Sequence, residues 1–215
     1  PSNKINIVDR KNIRAPKYFP SSISINKICE KVRNKFREYD YEKHKIVLLN
    51  PNASDLVPVR KWEIENFITL AKLLIRHWND VYILFTGGVS EKKDIDRIVN
   101  VINSCRVASL AGETELVELI DLYSISSLLI TNDSGPAHFA TLTSTPTIVL
   151  FGPETPFLFG PLSDRSYIIY KKLACSPCVN VFNHRFSPCN NNLCMKTISV
   201  EEVFEICKNV IDKLA

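Results

Sequence analysis

The sequence predicts a doubly wound, Rossmann-like parallel α/β sheet of about six strands, and three observations predict it. From Lys45 onward, short apolar runs alternate with amphipathic helical patterns, the signature of successive β–α units. The runs are apolar throughout and do not alternate with polar residues, as expected of strands covered on both faces. The residues that follow each run are small, polar or glycine-containing, which suits loops at the ligand-binding carboxyl edge of such a sheet.

Residues 1–44 read as a linker and an amphipathic packing helix. The lead contains Pro16 and Pro20, and Ile25, Ile28, Val32 and Phe36 then recur at helical spacing. The charge run from Lys31 to Lys45 reads as a solvated face. Residues 45–215 form the main domain. Its strands are expected at Ile46–Leu49, Val81–Phe85, Val107–Leu110, Leu128–Thr131, Thr147–Phe151 and Tyr167–Tyr170. Between them, Ile64, Phe67, Ile68, Ala71, Leu74, Ile75 and Trp78 mark one helix. Ile95, Ile98, Val99 and Ile102 mark a second, and Leu116, Leu119, Ile120 and Tyr123 a third. The last helix opens with Ser199 and Glu202 in capping-box spacing and turns Val203, Ile206, Cys207 and Val210 inward.

With 215 residues and an ordinary apolar share, the chain has enough material for a substantial core. No apolar run approaches the roughly 18 residues a membrane span needs, and no secretory signal pattern opens the sequence. The net charge of +4 is mild and lacks a basic–aromatic stripe, which argues against nucleic acid as partner. Seven cysteines without an export signal point to reduced thiols or a metal site in a cytoplasmic setting.

The stretch Thr131–Pro153 carries the densest chemistry. Gly135 and Pro136 suit the opening of a helix, where unpaired N–H groups and the positive end of the macrodipole favour a phosphate. Asp133 sits at the mouth of that turn and His138 three residues past Gly135. A plain connection with Asp133 as N-cap fits the same residues. Arg60 and Lys61 offer the positive charge a pyrophosphate requires, although two exposed basic residues before a helix would read the same way. There is no G-x-G-x-x-G fingerprint in the first loop and no P-loop, which argues against a dinucleotide oxidoreductase or a P-loop nucleotidase.

Taken as an ordered series, Asn50 to Asp55 (NPNASD), Arg60 to Trp62 (RKW), FTGG with Glu91, Leu110 to Thr114 (LAGET), Thr131 to His138 (TNDSGPAH) and Leu150 to Pro156 (LFGPETP) resemble one family. The chain is similar to the donor-binding half of heptosyltransferase-like glycosyltransferases of family nine. The resemblance implies one half of a GT-B fold and transfer of a heptose-like sugar from a nucleoside diphosphate donor, often ADP-heptose, to a lipopolysaccharide-type acceptor.

By the same resemblance, Ser134 and Gly135 would hold the diphosphate through backbone N–H groups, with Asp133 and His138 near the sugar. Arg60 would contact phosphate with Ser54 beside it, Glu91 would meet the ribose, and the backbone around Thr114 would border the base. Arg60 replaces a lysine usual in the family, and Asp55 stands where some relatives have a hydroxyl residue. Both departures bear on which donor is taken. The start at Pro1 fits a chain that opens at the inter-domain linker, and the acceptor site and general base are expected in a preceding domain. No cofactor is required for such transfer, and the full enzyme would work in the cytoplasm or at the inner face of the membrane. A noncatalytic nucleotide-binding module remains compatible with these residues. A GT-B-like sugar-nucleotide epimerase would need catalytic acids that the chain does not display.

Residues 173–195 form a Cys-rich loop. Cys175 and Cys178 make a C-x-x-C pair, followed by Cys189 and Cys194, and four thiolates so spaced could close a structural zinc site, with His184 as a substitute ligand. Free thiols or one disulfide fit the same spacing. Cys29, Cys105 and Cys207 fall on apolar faces and are expected in the core.

Overall fold

The computed structural model of the chain describes residues 15–54, 56–183 and 186–214. Six parallel strands form one sheet in the order β3-β2-β1-β4-β5-β6. They are β1 (Lys45–Asn50), β2 (Val81–Phe85), β3 (Val107–Ser109), β4 (Leu128–Asn132), β5 (Thr147–Phe151) and β6 (Ser166–Tyr170). The helices are α1 (Ser22–Lys35), α2 (Ile64–His77), α3 (Lys92–Ile102), α4 (Leu116–Ser124), α5 (Gly135–Phe139), α6 (Pro156–Phe159), α7 (Leu193–Lys196) and α8 (Val200–Ile211). Each predicted strand is present, within a residue or two of its expected ends.

The strands are apolar throughout because they are buried on both sides. Val47, Leu49, Ile83, Phe85, Ile130, Ile148 and Leu150 point to one face, where Phe67, Leu70 and Leu74 of α2, Ile95 and Ile98 of α3, and Val203 and Cys207 of α8 cover them. Ile46, Leu48, Tyr82, Leu84 and Leu129 point the other way, onto Ile28, Val32 and Phe36 around α1 and Leu122 and Tyr123 of α4. Consecutive residues of a strand face opposite sides, so a run serving two cores has no polar position to spare. The exception is β6, where Tyr167 and Ile168 are exposed at the sheet edge.

Two of the expected core residues lie outside. Leu116 opens α4 at 52% exposure, because that helix buries its face one turn later, at Ile120, Leu122 and Tyr123. Cys105 is exposed between α3 and β3, whereas Cys29 and Cys207 are buried as expected.

The basic face of α1 is also not simply solvated. Lys27 and Lys31 both pair with Glu118 on α4, at 2.8 and 2.7 Å, and Lys35 pairs with Glu113 at 2.7 Å. Hydrogen bonds from Lys27 and Lys31 pull the Glu118 carboxyl down to about 2. The Pro-containing lead is tied down as well. Tyr18 donates its backbone N–H to Leu142 O at 2.8 Å and its hydroxyl to Asp121 at 2.7 Å. At α8, Ser199 caps through Glu202 N at 3.1 Å, while the Glu202 carboxylate turns to Lys171, so the expected box is only half used.

Candidate functional site at the carboxyl edge of the sheet

Strand order reverses between β1 and β4, and in sheets of this kind the crevice at that switch point, outside the carboxyl ends, is where ligands bind. The loops there are fixed by a network of asparagines. Asn132, at the end of β4, accepts from Trp62 N at 3.0 Å and donates to Pro51 O at 2.8 Å. Asn50, at the end of β1, donates to Thr86 O and Oγ1 at 3.2 and 3.1 Å. These side chains are buried, and their hydrogen bonds offset the cost of removing an amide from water.

The β2 and β3 loops are locked to each other. Gly112 N donates to Gly87 O at 2.9 Å, and the Glu91 carboxylate accepts from Gly88 N at 2.6 Å. Gly112 has φ +70°, and a Cβ there would come within 3.0 Å of Val89 Cα, so only glycine fits. Asn52 and Glu91 both close over Gly87, where an added Cβ would meet Asn52 Nδ2 at 2.7 Å and Glu91 Oε2 at 3.0 Å.

The charged centre lies between the β1, β4 and β5 loops. Arg60 ends a one-turn 3-10 helix, Pro58–Arg60, that leads from β1 toward α2. Its guanidinium is bonded through Nη2 to Glu154, and Nε lies 3.6 Å from Asp133 Oδ2. The three side chains are only 11, 2 and 6% exposed for Arg60, Glu154 and Asp133 respectively. Arg60 is therefore a buried cation bracketed by two carboxylates, and not one of two exposed basic residues before a helix. Glu154, part of the LFGPETP stretch, received no role from sequence reasoning, and the only sequence signal was an acidic residue directly behind a buried strand.

Asp133 is not the N-cap residue of the following helix. Ser134 is the N-cap residue of α5, and its hydroxyl is spent on Thr131 Oγ1 and Asn132 O, both at 3.1 Å. That helix is five residues long, running on into a 3-10 turn at Ala140–Leu142, so its dipole is much weaker than that of a full helix. Lys61 is half-buried beside Arg60, while Ser54 and His138 are exposed. Thr114 is half-buried in the β3 loop, beyond Gly112. Along the carboxyl edge the candidates thus follow strand order. Thr114 comes after β3, Glu91 after β2, Ser54, Arg60 and Lys61 after β1, Asp133 to His138 after β4, and Glu154 after β5. Asp55 lies outside the described residues.

Of the four cysteines considered for zinc, Cys194 is buried, Cys178 and Cys189 are half-buried and Cys175 is exposed, and all are free thiols. Burial pushes the Cys194 thiol up, with a further push from Cys178. Among the described residues, no group of three or more His, Cys, Asp or Glu side chains is placed to hold a metal ion. His184 lies outside the described residues.

A six-stranded parallel sheet in this order, covered by helices on both faces, defines a Rossmann-like α/β domain. The sequence profile of glycosyltransferase family 9 (heptosyltransferase) matches residues 16–185, and the chain belongs to that family. It is 28% identical over 170 residues to lipooligosaccharide heptosyltransferase 2 of Campylobacter jejuni, covering 78% of this chain and 51% of that protein. It is 33% identical over 122 residues to lipopolysaccharide heptosyltransferase 2 of Salmonella typhimurium, covering 54% of this chain and 34% of the relative. Among solved structures, ADP-heptose lipopolysaccharide heptosyltransferase II of Escherichia coli superposes with a TM-score of 0.72 at 20% identity, over 93% of this chain and 55% of that one. The chain therefore spans about a third to a half of the length of these relatives.

Proposed function

We propose that this chain is the donor-binding domain of a heptosyltransferase-type enzyme and holds the nucleoside diphosphate of a sugar donor at the carboxyl edge of its sheet. The observation that carries the reading is the buried Arg60 cation at the β1/β4 switch point, 3.6 Å from the carboxylate of Asp133 at the end of β4. It is supported by family membership and by the donor named in the relative's structure, ADP-heptose.

In this reading the diphosphate lies between Arg60 and the N–H groups of Ser134 and Gly135, with Ser54 and Lys61 at its margin. Glu91 meets the ribose, the loop at Thr114 borders the base, and Asp133 and His138 face the sugar. As the glycosidic bond to phosphate breaks, negative charge grows on the departing nucleoside diphosphate. Arg60 and the N–H donors stabilise it by being already oriented. Such stabilisation needs no metal in principle. The acceptor, a lipopolysaccharide-type glycan, and the general base belong to a second domain, and the enzyme works in the cytoplasm or at the inner face of the membrane. Among the described residues, no helix is long and apolar enough to cross a membrane.

The reading assigns Asp133 to the sugar. Asp133→Ala should therefore weaken binding of a nucleotide sugar more than binding of the free nucleotide, measured by calorimetry. Equal losses would remove that role.

A further inference from the structure

We propose that Asn192 and Glu154 are positioning residues for the donor's diphosphate, both acting through Arg60. The inference deepens the donor-binding reading and rests on it. A three-residue 3-10 turn does little by itself to fix where an arginine at its end points. Two contacts from elsewhere in the chain do so.

The first comes from the Cys-rich loop. Asn192 donates its Nδ2 hydrogens to Val59 O and Lys61 O, at 3.1 Å each. One amide thus straddles the chain on both sides of Arg60, using the two donors that an asparagine –NH2 carries. The second is Glu154, whose carboxylate holds Nη2.

The same loop also fixes Glu154. Pro153 O, one residue before it, accepts from both Cys178 N and Val179 N at 2.9 Å. The loop is seated on β5 by buried Cys194 and Met195. A Cβ on Gly152 would meet Met195 Sδ at 2.5 Å and Cys194 Sγ at 2.9 Å. The Cys-rich loop is therefore a brace that holds both members of the Arg60–Glu154 pair.

The brace does not use every donor of Arg60. Arg60 Nε is buried and has no hydrogen-bond partner among the described residues, since 3.6 Å to Asp133 is too long for one. A buried charged N–H without an acceptor is costly, and a phosphate oxygen is an acceptor of the right charge. With Nη2 tethered to Glu154 and the backbone pinned by Asn192, the guanidinium is held in one orientation in which to meet that oxygen.

The test is calorimetric titration of the full chain with ADP, GDP, UDP and CDP. The nucleotide that binds tightest is then compared with its monophosphate, so that the second phosphate is read separately. Wild type should prefer the diphosphate. Glu154→Gln and Asn192→Ala should each weaken diphosphate binding by about tenfold and change monophosphate binding by less than about twofold. Glu154→Asp should recover most of the loss. Unchanged diphosphate affinity, or equal losses for both nucleotides, would overturn the positioning roles. Failure of wild type to bind any diphosphate would overturn the donor-binding reading itself, and the inference with it. If Glu154→Gln or Asn192→Ala unfolds below the assay temperature, Glu154→Met and Asn192→Asp provide the same comparison. In the latter the shape is kept and both donors are lost.

Discussion

Replacing Arg60 by Met tests the buried charge cluster most severely. The change keeps the aliphatic stem and removes the guanidinium from between Glu154 and Asp133, whose side chains are 2 and 6% exposed. Glu154 would then sit in a nearly dry pocket without the cation bonded to it. Breaking a buried pair in this way costs about 3–5 kcal/mol, because the charge left behind cannot recover its hydration. That is a large fraction of the roughly 5–15 kcal/mol by which a domain is stable. With a urea slope of about 2–3 kcal/mol per molar, the unfolding midpoint should fall by about 1–2 M. Adding Glu154→Gln to the Met variant should restore part of that loss, since one stranded charge is removed. A midpoint within about 0.3 M of wild type, or no recovery in the double variant, would show that Arg60 is not a buried counter-ion.

Glu118 provides a pH test with a definite sign. Lys27 and Lys31 hold its folded carboxyl at about 2, below the value of about 4.3 in an unfolded chain. Its contribution is therefore present above pH about 4.3 and lost as pH falls toward 2. Water reaches these lysines, so the gap between wild type and Glu118→Gln at neutral pH should be about 1 kcal/mol, shrinking toward zero on acidification. A gap independent of pH in urea unfolding would refute the pairing. For the thiols, mass-spectrometric mapping of brief alkylation should find Cys105 and Cys175 modified first, and Cys29, Cys194 and Cys207 protected until unfolding. Burial pushes the Cys194 and Cys207 thiols up, which slows them further. Early labelling of Cys194 would contradict its seat beneath Gly152.

The sheet was legible in the sequence because its strands are buried on both faces, so Val81–Phe85 and Thr147–Phe151 stand out as unbroken apolar runs. The loops of the site were legible for a related reason, since small and polar residues follow each run at the carboxyl edge. What could not be read is contact across the chain. Arg60 and Glu154 are 94 residues apart, and nothing local to either predicts the pair. Asn192 clamps the backbone around Arg60 from more than 130 residues away. The α1 charges misled for the same reason, because Lys31 looks solvated until Glu118 is placed opposite it. Asp133 suited an N-cap by composition, but Ser134 takes that position and the Asp133 carboxylate lies beside Arg60.

The central claim, that this domain binds a nucleotide-sugar donor at the carboxyl edge of its sheet, is tested most directly by titrating the chain with ADP-heptose and with the other common nucleoside diphosphates and their sugars. The account predicts saturable one-to-one binding by at least one of them, lost in Arg60→Met variants that remain folded. Absence of binding by every member of that panel would contradict it.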